Sequence, residues 1–231
     1  LDPIPSSNYS LSIDGISLDR VDRTTLRERL IVVSQEPVFL PDGTTFKKNL
    51  DPTDTVPHQE CQAALEAVGL WDLVIDRGGL AAGLTAQSLS QGHKQLFSLA
   101  RAILRRRLCS QRLETEVGRL YLDPQSKTVP ESEKPSKHGT DPATSSGGLL
   151  ILDEYSSNLD LETDKMIQET VFREFQGYTI LMVSHRLEMV MGFDKVVILD
   201  RGSLVEQGIP RDLVEQEGSR FRELWMAGKE K

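Results

Sequence analysis

Two adjacent carboxylates, Asp153 and Glu154, close a run of four apolar residues, Leu149-Leu150-Ile151-Leu152. A buried charge is costly unless it is paired or holds a cation, so an acid pair in this position belongs at the exposed end of a strand. In open parallel sheets the carboxyl edge of the strands is where ligands bind. Taken alone, an apolar strand running out into Asp-Glu also describes an ordinary acidic turn. Three other polar motifs accompany it in a fixed order. Gln35 follows the apolar run Leu30–Val33, Leu89-Ser90-Gln91-Gly92-His93 opens a long helical stretch, and His185 follows the run Thr179–Ser184.

The elements that must carry these residues are legible as alternating strands and helices. Ser10–Ile16 alternates apolar and polar residues, as a half-buried strand does, and Gly15 permits a turn. Thr24 or Thr25 is placed to cap a short helix through Arg29, and Leu30–Gln35 reads as a β-branched strand ended by Glu36-Pro37. Thr44 or Thr45 opens a short turn of helix. Pro57 starts a helix to about Val68 with Cys61, Leu65 and Val68 on one face, and Leu70–Ile75 continues helically until Gly78-Gly79. Over residues 91–107, Leu96, Leu99, Ala100, Ile103 and Leu104 follow the spacing of a buried helical stripe. Residues 57–107 thus form a helical subdomain.

From Asp123 to Gly148 the chain carries four prolines, many Ser and Thr, and no aromatic residue. Such a stretch buries too little surface to offset its ordering entropy, and a disordered insertion is expected over 108–148, centred on it. Beyond the acid pair, Glu162–Phe175 is amphipathic with Met166, Ile167, Thr170 and Val171 inward. Leu149–Leu152 and Thr179–Ser184 read as strands buried on both faces, and Lys195–Asp200 with Ser203–Glu206 as a terminal hairpin. Strands alternating with helices give an α/β fold with a mostly parallel sheet flanked by helices.

Composition narrows the function classes. The formal net charge of -8 and pI near 5.1 argue against a nucleic-acid surface. Cys61 and Cys109 are too few for a disulfide framework, which suits a reducing compartment, and no His/Cys cluster has metal-ligand spacing. His58 and His138 read as surface residues. No apolar run approaches the roughly 20 residues that span a bilayer.

The ordered set of Gln35, Leu89–His93, Leu149–Asp160 and His185 resembles the Q-loop, signature, Walker B with D-loop, and H-loop of an ATP-binding cassette (ABC) ATPase. Phe46–Pro52, Ala64-Leu65-Glu66 and Ser98–Ala102 further resemble the second cassette of C-subfamily, multidrug-resistance-associated transporters, especially fungal ones. The resemblance implies ATP and Mg²⁺ as cofactors. It also implies a second cassette, which would sandwich two nucleotides head to tail with this one, and the transmembrane domains of a parent exporter at the cytoplasmic face of a membrane.

Phosphoryl transfer to water requires holding Mg²⁺, positioning the water and neutralising charge on the γ-phosphate. The resemblance makes Asp153 the Mg²⁺ contact, through a water, since Mg²⁺ keeps several of its waters. It makes Glu154 the general base, Gln35 a carbonyl reaching the metal or the water, and His185 a donor to the γ-phosphate. Ser90, Gln91, Gly92 and His93 stand at a helix start, where free N–H groups and the helix dipole favour a phosphate, here that of the nucleotide held in trans. An ordinary Ser N-cap is the simpler reading of Ser90. Gln91 and His93 depart from the usual Gly and Gln, and His93 adds a group that titrates near neutrality. Ser157 and Asp160 fall in the D-loop, with Asn158 and Tyr155 in place of small residues.

A P-loop, G-x-x-x-x-G-K-[ST], is not found in the sequence. By the family's motif order it would precede Gln35, so the chain reads as a cassette truncated just beyond the P-loop and inactive on its own. A non-catalytic module that lends only its signature motif to a partner is the alternative.

Overall fold

The structure is a computed structural model and describes residues 11–13, 15–122, 147–155 and 160–229. Strands β1 (Ser12–Ile13) and β2 (Ile16–Ser17) form a small antiparallel hairpin around Gly15, whose φ of +76° lies in the left-handed region. Helix α1 (Arg23–Arg29) is capped by Asp22, whose carboxylate accepts from Thr25 N at 2.9 Å. The cap expected at Thr24 or Thr25 therefore lies at Asp22, because a carboxylate one residue before the helix reaches the third N–H better than a hydroxyl already inside it.

β3 (Leu30–Val33), β4 (Leu149–Asp153) and β5 (Thr179–Val183) make a parallel sheet in that order. Ile31, Leu150 and Ile180 are in register, as are Val33, Leu152 and Met182, and these two rows face the core. Gly148 feeds β4 through a tight passage: a Cβ there would collide with the Arg29 carbonyl and the Tyr178 ring. The opposite face is uncovered. Val32, Leu181 and Val183 are 55%, 53% and 52% exposed, so β4 and β5 are not buried on both faces as their apolar runs predict. Their outward residues find no layer to pack against among the described residues.

The core lies between this sheet and the helices α2 (Phe46–Leu50), α3 (His58–Ala67), α4 (Trp71–Asp76) and α5 (Gln91–Leu122). α2 is capped by Thr45, which accepts from Lys48 N. Cys61, Leu65 and Val68 are fully buried, as are Leu99, Ala100 and Ile103 of the α5 stripe. α5 does not stop near Arg107 but continues to Leu122, so residues 108–122 are helical where an insertion is expected to begin. The remaining core of that expected insertion, 123–146, lies outside the described residues.

α6 (Leu161–Glu174) returns the chain to β5 with Ile167, Thr170 and Val171 inward. Met166 points outward instead, 44% exposed, since the buried stripe of α6 is narrower than its run of apolar residues. After α7 (Leu187–Val190), strands β6 (Val196–Asp200) and β7 (Ser203–Gly208) form the expected hairpin. Helices α8 (Pro210–Glu215) and α9 (Arg220–Lys229) close the chain. Among the described residues no helix is long and apolar enough to cross a membrane.

One partly buried cation ties the loop after β3 to α5. Arg101 Nε donates to the Asn49 carbonyl at 2.7 Å, its Nη1 donates to the Val38 carbonyl, and its guanidinium lies 4.8 and 5.1 Å from the Phe39 and Phe97 ring centres. Burial lowers its pKa to about 10, so it remains charged at neutral pH. Arg101→Ala, which strands the part-buried Asn49 carbonyl and removes the group packed on two rings, should cost about 2 kcal/mol in urea denaturation. Arg101→Lys should recover less than about half of that, because a point charge cannot reproduce the guanidinium fork.

Candidate functional site

β3, β4 and β5 run parallel, so their carboxyl ends bring three polar side chains to one edge. Glu154 stands one residue past β4 with φ +45°, a left-handed conformation that is unfavourable for a residue with a Cβ. Its N–H donates to the Val183 carbonyl at 3.0 Å, and its own carbonyl accepts from Gln95 Nε2 at 3.4 Å. Backbone bonds on both sides thus over-determine the strained turn, which throws the carboxylate out over the sheet edge.

Two of the predicted partners meet it there. Gln35 Nε2 donates to Glu154 Oε2 at 2.8 Å, and His185 Nδ1 lies 3.5 Å from Glu154 Oε1. Gln35, Glu154 and His185 are far apart in sequence and adjacent in space. The amide nitrogen of Gln35 faces the carboxylate, whereas the sequence reading assigns its carbonyl to a metal or water. Asp153 ends β4 in register with Val183 and is exposed. Asp153 and the Gln35 carbonyl are hard oxygen donors of the kind Mg²⁺ takes, and both stand at this edge. Among the described residues no cluster of three or more His, Cys, Asp or Glu could hold a metal.

The signature residues sit apart from this trio. Ser90 caps α5: its Oγ accepts from His93 N at 3.1 Å, and its carbonyl accepts from Lys94 N at 3.0 Å. The loop before it is held by Arg77, which donates to Ser88 Oγ and to the Ser88 carbonyl. Among the described residues no hydrogen bond or ion pair joins Ser90, Gln91, Gly92 or His93 to Gln35, Glu154 or His185. The two groups are linked through α5 itself, by Gln95. Asp160 caps α6, accepting from Thr163 N at 2.9 Å and from Thr163 Oγ1 at 2.7 Å. Ser157 lies outside the described residues.

Three neighbours of the trio went unselected in the sequence. Gln95 is buried beside the apolar stripe of α5, where a polar residue needs a partner. Asp164 is 2% exposed on α6, and Arg186 follows His185 directly. A Gln or Asp interrupting a buried stripe was the available signal for the first two.

A sequence profile described as ABC transporter matches residues 4–109. The ABC-type transporter braE of Annulohypoxylon truncatum is 46% identical over 228 residues, and ABC transporter FGM5 of Gibberella zeae is 46% identical over 230; each match covers 99% of this chain. ABC multidrug transporter B of Aspergillus fumigatus is 33% identical over 219 residues, covering 95% of the chain. The chain spans only 14%, 14% and 12% of the length of these three relatives. A bacterial Atm1-family ABC exporter with ATP bound superposes with a TM-score of 0.69 at 24% identity, over 95% of this chain and 32% of that one. The fold is therefore the α/β ABC ATPase fold. By sequence the chain is similar to ABC transporters, fungal ones among them.

Two measurements follow from this geometry. Glu154→Gly and Glu154→Ala both remove the carboxylate, but only glycine accepts φ +45° freely, so the glycine variant should be more stable than the alanine one by about 1 kcal/mol in chemical denaturation. His93 is pulled below its ordinary value, first by burial and then by the charge of Arg77. The unfolded chain therefore takes up this proton first on acidification. Stability linked to His93 is complete above about pH 6.5 and declines as pH falls below it, until the folded imidazole is itself protonated. Denaturation at pH 7.5 and 5.5 should show a smaller acid loss for His93→Gln than for the native chain.

Proposed function

We propose that this chain is the catalytic part of the C-terminal cassette of a fungal, C-subfamily exporter of the multidrug-resistance-associated type. It would couple ATP binding and hydrolysis to transport across a membrane from its cytoplasmic face. The observation that carries the proposal is the meeting of Gln35, Glu154 and His185 at the carboxyl edge of a parallel sheet.

In this reading Glu154 accepts a proton from the attacking water at a carboxylate oxygen. The Gln35 amide holds Oε2, which fixes the carboxylate plane before any nucleotide arrives. His185, next to Oε1, is placed to donate toward the transferring phosphoryl group. Asp153 and the Gln35 carbonyl would hold Mg²⁺ through water, and the metal would supply charge neutralisation. Ser90 and Gly92, at the start of α5, would offer N–H groups to a nucleotide bound by a second cassette, and Asp160 would stand at the same junction. Transmembrane domains would belong to the longer protein. The sheet face that carries Val32, Leu181 and Val183 has no cover among the described residues.

A second reading is a non-catalytic module that contributes only the signature motif. One comparison separates the two. This chain alone should show no micromolar binding of Mg-ATP by titration calorimetry. The longer transporter containing it should hydrolyse ATP, and Glu154→Gln in it should lower turnover at least about 100-fold while ATP binding persists. Turnover within about threefold of wild type would instead support the non-catalytic module.

A further inference from the structure

His185 is the least restrained member of the trio. Its side chain is 61% exposed, and the 3.5 Å separation from Glu154 Oε1 is too long and too solvated to hold a ring in place. The residue after it is held firmly. Arg186 Nη1 lies 3.0 Å from Asp164 Oδ2, and Asp164 is almost completely buried on α6. Arg186 N also donates to Ser184 Oγ at 3.0 Å, so both residues flanking His185 are fixed around it. Asp164 N donates to the carbonyl of Asp160, which places the carboxylate in the first turn of α6, behind the acid edge. Tyr155, the residue after Glu154, is buried nearby, and Asp164's charge adds to burial in holding its hydroxyl above the ordinary phenol range. Asp164 thus contacts the neighbour of His185 and acts electrostatically on the neighbour of Glu154.

We propose that the ion pair of Arg186 with the buried Asp164 is a positioning device that sets the His185 imidazole against Glu154, by pinning the β5–α7 turn to α6. Asp164 Oδ1 has no hydrogen-bond partner among the described residues. The buried carboxylate thus depends on the guanidinium for compensation, and moving Arg186 away would leave it uncompensated. That dependence is what makes the backbone at His185 stiff while its ring stays in solvent. The proposal rests on the catalytic reading above for its use, but not for its test.

The test is a double-mutant cycle read on the His185 Hε1 resonance of this chain, with no nucleotide present. In the native background Glu154→Gln should shift that resonance, because the carboxylate lies beside the ring. In Arg186→Gln and Asp164→Asn the same Glu154→Gln change should produce less than about one-third of the native shift, and in Arg186→Lys more than about two-thirds. Should the single variants fail to fold, Asp164→Leu/Arg186→Leu removes both charges together and leaves none uncompensated. Its shift should also fall below about one-third. A shift preserved in folded Arg186→Gln, or in the double leucine variant, overturns the positioning role. Loss of the shift with no effect of Arg186→Gln on ATP turnover in the longer transporter would uphold the positioning and count against the catalytic reading instead.

Discussion

The site depends on one strained residue held by backbone bonds. Glu154 adopts a conformation that a side chain with a Cβ avoids, and it does so where β4 ends. The Val183 carbonyl takes its N–H, and Gln95 reaches its carbonyl. Neither bond involves the carboxylate, so the side chain is left for chemistry while the peptide units around it are locked. A carboxylate on an ordinary turn would sample many directions, and Gln35 could then not find Oε2 at 2.8 Å across the sheet edge.

α5 is the member through which the separate loops are coordinated. Near its start Ser90 caps the helix and Gln95 supports Glu154. Further on, Arg101 binds the loop that follows Gln35, and Arg105 Nη2 donates to the Arg27 carbonyl at the end of α1. Arg107 then pairs with Glu174 of α6 at 2.9 Å. A helix that touches the Gln35 loop, the Glu154 turn and the end of α6 can transmit a displacement at its N-terminus to all three, since packed elements move as units rather than deforming smoothly. Ser90–His93 and the acid edge are thus both anchored to α5, although the two groups share no direct bond.

Much of this was legible in the sequence because the relevant signals are local. The apolar stripe of α5, the β-branched run of β3 and the acid pair after β4 each appear within a dozen residues, and the order of polar motifs carried the family resemblance. What could not be read is non-local. Nothing in the spacing of Asp22 and Thr25 says which of several polar residues wins the cap. Gln95, Asp164 and Arg186 are ordinary residues on helices or turns until tertiary structure buries them against Glu154 and His185. The extension of α5 to Leu122 is not legible because residues 108–122 lead directly into a Ser-, Thr- and Pro-rich stretch.

The sheet carries a further lesson about reading burial from composition. Thr179–Val183 contains four apolar residues in succession, the pattern of a strand covered on both faces, yet Leu181 and Val183 stand half in solvent. Covering a large aliphatic side chain is worth about 1.5–3 kcal/mol. Val32, Leu181 and Val183 are each about half exposed, so covering all three adds about 2–5 kcal/mol, a sizeable share of the net stability of a domain, about 5–15 kcal/mol. A sequence that keeps them apolar through the outward row is adapted to a second layer. The edge that presents Gln35, Glu154 and His185 would be stiffened by that layer, since the three strands delivering them would then be clamped from both sides.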